Sequence, residues 1–112
     1  MEKNVEIGTL YQYYKDLLSE KQSEAIEQYY LEDLSLTEIA EITGVSKQAV
    51  STNIKRAEKL LEDYESNLNM YEKIVFLSES LENLSKFLEG KTDKNTYEII
   101  NQKISEIISK MN

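Results

Sequence analysis

Between residues 19 and 46 the chain carries three serines placed to start helices and one glycine placed to stop one. Ser19 stands three residues before Gln22, and Ser35 three before Glu38. In each case the serine hydroxyl can accept the N–H of the third helical residue while that residue's side chain reaches back, which is a capping box. Gly44 suits a helix end because it takes positive φ without a Cβ clash, and Ser46 follows as a third N-cap. These signals predict short helices turning tight corners: Ile7 to Leu18, a second to about Glu32, a third from Leu36 to Thr43, and a fourth starting at Lys47 with no breaker until past Leu61. The chain of 112 residues has no proline and three glycines, and no segment alternates with period two, so the expected fold class is all-α.

The third and fourth helices meet the demands of a helix-turn-helix. Close crossing calls for a small residue, Ala40; the turn calls for tolerance of positive φ, Gly44; the second helix needs a buried anchor facing the first, Val50. Ile39, Ile42 and Val45 are expected to fill the space between them. With Val50 at 0° on a wheel of ~100° per residue, Ile54, Ala57 and Leu61 fall within about 40° of it. Gln48, Ser51, Thr52, Lys55 and Lys59 fall at about 100–200°, the opposite face.

That outward face places hydrogen-bonding groups near the helix start and cations further along, the layout expected when one end meets base edges and the other phosphates. Gln48 suits adenine, and Ser51 or Thr52 any base. Lys47, Lys55, Arg56 and Lys59 are the phosphate candidates. The chain's formal charge is -8, yet residues 46–60 carry +3 between a -7 segment (1–45) and a -5 segment (61–89). Four cations correspond to a salt slope of roughly -3.6 on DNA, which is thin for one chain, and two chains would double it.

Beyond Ala57 the apolar stripe continues through Leu61, Tyr64, Leu68 and Tyr71, then shifts phase to Ile74, Leu77, Leu81, Leu84 and Leu88. Ser66 to Asn69 lie at the shift and weaken helix propensity, so a bend or a break is expected there. Gly90 and KTDKN form a loop, with Thr92 or Asp93 as the next N-cap. The last helix carries Tyr97, Ile100, Ile104, Ile107 and Met111. These heptad-like seams want apolar partners, either each other as an antiparallel hairpin or a second chain. The expected organisation is a helix-turn-helix domain over residues 1–66 and a C-terminal helical hairpin over 67–112 serving self-association as a homodimer.

The absence of cysteine and histidine removes disulfides, thiolate metal sites and the commonest general base, so no metal, cofactor or catalytic residue is expected. Asp33, Glu38 and Glu41 are read as acids on a solvated helix face. The eight tyrosines are read mostly as core edges, with Tyr29 and Tyr30 a further candidate partner surface. No apolar run approaches ~18 residues and MEKNVEIG lacks a signal-peptide pattern, so a cytoplasmic protein without membrane contact is expected.

The strings Lys21–Gln22, Tyr29 to Asp33 (YYLED), Ser35 to Ala40 (SLTEIA) and Val45 to Arg56 (VSKQAVSTNIKR) resemble the YlxM family of small helix-turn-helix proteins. The likeness covers about the first 70 residues, and Ser51–Thr52 stands where members often carry a tyrosine and an aspartate. The same segment is similar to region 4 of bacterial sigma factors, a likeness that sets Lys47, Gln48, Ser51, Thr52, Lys55 and Arg56 at contact positions. The YlxM resemblance implies a regulatory nucleic-acid-binding role in the signal recognition particle pathway, on DNA or on the particle's RNA. The alternative it implies is a protein adaptor of the particle's GTPase with no sequence-specific DNA binding.

Overall fold

The computed structural model describes residues 2–112. Among them are six α-helices and no strand: α1 (Lys3–Tyr14), α2 (Glu20–Ile26), α3 (Leu36–Thr43), α4 (Lys47–Leu68), α5 (Met70–Leu88) and α6 (Lys94–Met111). The chain divides into two compact units, Met1–Asn69 and Met70–Asn112.

In the first unit the caps decide where helices begin. Ser19 and Ser35 each accept from the backbone N–H three residues on, and Gln22 and Glu38 return the bond, so both capping boxes form. Ser46 Oγ accepts from Ala49 N–H at 3.0 Å. Gly44 closes α3 at φ 75°, the left-handed conformation that a Cβ disfavours. The first helix differs from the expected Ile7–Leu18. It starts at Lys3, and after Tyr14 it tightens into a 3₁₀ turn over Lys15–Leu17. The tightening brings Leu18 into extended backbone (φ -92°, ψ 151°) just before the Ser19 cap, and it leaves Leu17 exposed. The buried stripe of α1 is Ile7, Leu10, Tyr11 and Tyr14.

The second helix widens into a π-helical turn over Glu27–Leu31, closed by Glu32 N–H to Glu27 carbonyl at 2.8 Å. Asp33 then takes φ 58°, and Leu34 N–H bonds back to the Gln28 carbonyl at 3.0 Å. Tyr29 and Tyr30, stacked edge to face with centroids 5.0 Å apart, pack against the core of Ala25, Ile39, Val50 and Ile54. They belong to the core's edge rather than to a free partner surface.

The helix-turn-helix core holds Ile39 and Val50 at 2–3% exposure, with Ala40 packed beside them. Ile42 and Val45 do not fill the gap as expected: they are 62% and 45% exposed. On α3 the inward residues Leu36, Ile39 and Ala40 span about 100° of the wheel, and Ile42 points roughly 110° from their centre. A helix of two turns has one packing face, and Ile42 is not on it.

The fourth helix buries Val50, Ile54, Ala57 and Leu61, the stripe the sequence spacing predicts. It ends at Leu68, and Asn69 takes left-handed φ 53° with its N–H on the Glu65 carbonyl at 2.8 Å. The phase shift is thus a helix break.

In the second unit α5 packs on α6 through a turn at Gly90 (φ 77°), with Asp93 as the N-cap of α6. The Thr96 hydroxyl and N–H both donate to the Asp93 carboxylate, at 2.5 and 3.0 Å, and hold its pKa below the usual range. The seam differs from the expected one. Ser85 is buried, and Ser78 is more covered than Leu77 and Leu84, which are 47% and 48% exposed. Ser85 Oγ donates to Asn101 Oδ1 at 2.7 Å and lies 3.3 Å from Tyr97 Oη. Ser78 and Ser85 stand where Leu77 and Leu84 were expected, while Ile74, Leu81 and Leu88 of the expected stripe are half-buried. On α6, Ile108 is likewise more covered than the expected Ile107.

Candidate nucleic-acid interface

The candidate face is built on the first three turns of α4. Ser46 satisfies an orphan N–H at the helix start, and Val50 and Ile54 anchor one side in the core. The residues opposite are thereby directed to solvent. Lys47, Gln48, Ser51, Thr52 and Lys55 line one shallow concavity together with Leu36 at the start of α3. All but the half-buried Ser51 and Leu36 are exposed. The starts of α3 and α4 border the same depression through Leu36 and Lys47; the Glu38 carboxylate occupies the N-terminal end of α3, bonded to Ser35 N–H, and no acid stands in the first turn of α4.

Arg56 and Lys59 are exposed but lie outside that concavity. Lys59 forms an ion pair with Asp63, Nζ 3.3 Å from Oδ1, on the exposed side of the helix. The outward face is thus free of acids only over its first three turns, and Lys59 is partly compensated at its far end.

Two further acids of α4 are engaged by tyrosines and a lysine of the N-terminal segment. Glu58 Oε1 accepts from the Tyr30 hydroxyl, and its Oε2 lies 3.3 Å from Lys3 Nζ. Glu65 accepts from the Tyr14 hydroxyl at 2.5 Å. Tyr11 donates likewise to Glu27 at 2.6 Å. Three tyrosines of the N-terminal segment thus engage three glutamates, two of which belong to α4. Burial first, and then the bond to Glu58, push the Tyr30 phenol well above its usual range, and burial followed by the bond to Glu27 raises Tyr11. The bond to Glu58 is the first cause of the raised Lys3 pKa. Sequence spacing does not reveal these pairs, because they join residues 16, 28 and 51 positions apart.

A second concavity of about 290 Å³ lies beside the turn, lined by Lys21, Glu24, Ala25, Gln28, Ile39, Thr43, Val45, Val50 and Asn53. Asn53 and Val50 place it on the opposite side of α4 from Gln48 and Lys55, about 180° around the wheel. Its buried lining is Ala25, Gln28, Ile39 and Val50, and the exposed Lys21 and Glu24 bring both charges. Asp33, Glu38 and Glu41 do not converge: among the described residues no three histidines, cysteines or acids come together as a metal site. No described helix is long and apolar enough to cross a membrane.

Comparison with known proteins matches residues 1–107 to the UPF0122 family, described as "Putative helix-turn-helix protein, YlxM / p13 like". A UPF0122 protein of Oceanobacillus iheyensis is 43% identical over 107 residues, covering 96% of this chain and 98% of its own length. One from Streptococcus gordonii is 49% identical over 86 residues, covering 77% and 78%. One from a strain of Streptococcus pneumoniae is 51% identical over 79 residues, covering 70% and 72%.

Proposed function

This chain belongs to the UPF0122 family of YlxM/p13-like helix-turn-helix proteins, and from that premise we propose that it is a non-enzymatic regulator that binds nucleic acid through the exposed face of α4. The observation that carries the reading is the shared depression of Lys47, Gln48, Ser51, Thr52 and Lys55 at the helix start. Gln48, Ser51 and Thr52 are the base-reading candidates. Lys47, Lys55 and Arg56 meet phosphates, and Lys59 does so at the cost of its pair with Asp63. A homodimer doubles the cation count, which a chain of net charge -8 needs for a stable complex.

The place of action in this reading is the signal recognition particle pathway, in the cytoplasm, and it enters through the YlxM resemblance. An A-form major groove is too narrow for a helix, so the particle's RNA would be met by shape, phosphates or a widened loop. A second reading, an adaptor of the particle's GTPase without sequence-specific DNA binding, is favoured by the acidic excess and by the concavity of mixed lining beside the turn.

The test is the double variant Lys55→Glu, Arg56→Glu. Both side chains are exposed, so the fold is expected to persist. Binding to duplex DNA and to the particle RNA is measured across salt. Loss of binding supports the α4 face, and unchanged binding to both sinks it. Binding to RNA alone selects the particle, and binding only to the purified GTPase selects the adaptor.

A further inference from the structure

We propose that α5 carries a self-complementary face on which a second copy of this chain docks antiparallel, α5 against α5. The inference rests on the homodimeric part of the reading above and assigns it a surface.

The observation is a second apolar stripe. Toward α6, α5 presents Ile74, Ser78, Leu81, Ser85 and Leu88, all half-buried or buried. Phe76, Leu77, Leu84 and Phe87 are instead 68%, 47%, 48% and 60% exposed. With Phe76 at 0°, Phe87 falls at about 20°, Leu84 at 80° and Leu77 at 100°, one face roughly 100° from the α6 contact. Four large apolar side chains on one exposed face mark an interaction surface. The unit also has little core of its own: Ile104 is the one buried hydrophobic residue found within Met70–Asn112 among those described.

The order of residues along this face says what covers it. Read from either end it runs phenylalanine, leucine, leucine, phenylalanine. A twofold axis near Leu81 and Glu82 sets Phe76 against Phe87 of the second copy and Leu77 against Leu84. The same axis sets Ser80 against Asn83, both exposed and at about 40° and -20°, on the phenylalanine side of the face, where a polar pair fixes register. On the flank beside the phenylalanines, at about -60° and -80°, stand Glu79 and Lys86. The axis brings Glu79 of each copy to Lys86 of the other. The midpoints of all four pairs agree within about one residue either way, ~1.5 Å along the helix. Isologous pairing of this kind is the rule for twofold dimers. Net charge permits it: Met70–Asn112 carries 7 acids and 6 bases, against 14 acids and 7 bases in Met1–Asn69. Two copies meeting through α5 thus join nearly neutral units.

Sedimentation equilibrium of the full chain at tens of micromolar, with helicity monitored by circular dichroism, tests the face. The wild type is expected to dimerise. Phe76→Glu with Phe87→Glu is expected to raise the dimer dissociation constant about 100-fold or more at unchanged helicity. Glu79→Lys alone and Lys86→Glu alone are each expected to weaken the dimer about threefold to tenfold, since the pair occurs twice. Glu79 and Lys86 are seven residues apart on one helix and too distant to pair within it, so the combined exchange restores association only if they meet across copies. A monomeric wild type overturns both the dimer and the face. A dimer that survives the phenylalanine changes, or an exchange no tighter than its single variants, overturns the face and leaves the dimer standing. Nucleic-acid binding by the Lys55→Glu, Arg56→Glu variant is read separately and bears on α4 alone.

Discussion

Gly44 holds the turn by backbone conformation alone: it sits at φ 75°, and a Cβ built there meets nothing within 4 Å. Gly44→Ala is therefore expected to cost about 1–2 kcal/mol from the left-handed backbone. Gly44→Asn should cost clearly less, and urea denaturation of the two variants makes the comparison. Tyr30 makes a pH prediction. Its folded pKa is raised by burial and by the bond to Glu58, from the ordinary value of 10.0. A raised pKa contributes stability that is complete below the unfolded value and lost as pH rises beyond it. Stability should thus fall above pH 10.0, and Tyr30→Phe should flatten part of that alkaline loss in thermal melts. Asp63→Asn releases Lys59 from its ion pair. It should tighten nucleic-acid binding by no more than about fivefold, because exposed pairs are weak.

At the scale of the helix, α4 serves two masters. Its inward stripe of Val50, Ile54, Ala57 and Leu61 anchors the domain, and its first turns present the candidate contacts. Removing the cap by Ser46→Ala should lower stability by about 1 kcal/mol. The same change should loosen binding beyond that of a control cap change such as Ser19→Ala, because it frays the turn that carries Lys47 and Gln48. Fluorescence anisotropy with labelled DNA or RNA compares the two. The caps were legible in the sequence because a capping box is a local bond between residues three apart. The 3₁₀ turn after Tyr14 and the π turn at Glu27–Leu31 were not, since each adjusts the chain path between two packed helices.

For the whole molecule, charge placement outweighs total charge. Eleven of the twelve buried hydrophobic residues found lie within Met1–Asn69. A fragment of residues 1–69 is therefore expected to unfold cooperatively by itself, as checked by urea denaturation. Without α5 and α6 it should bind nucleic acid with about half the salt slope of the full dimeric chain, near -3.6 rather than roughly -7. An equal slope for both would remove the dimer from the binding reaction.

The sequence alone determined what depends on near neighbours and on one helix's own period: the caps at Ser19, Ser35 and Ser46, the glycine stop, the buried stripe of α4 and the outward set from Gln48 to Lys59. Tertiary structure decided what depends on distance in the chain. It exposed Ile42 and Val45 because α3 has one packing face, and it tied Glu58 and Glu65 to tyrosines of the N-terminal segment. It also turned Ser85 inward and Leu84 outward on α5. A wheel assigns an apolar face to a helix but not the partner that covers it. On α5 two faces compete for one neighbour, and the hydrogen bonds of Ser85 to α6 settle which is covered.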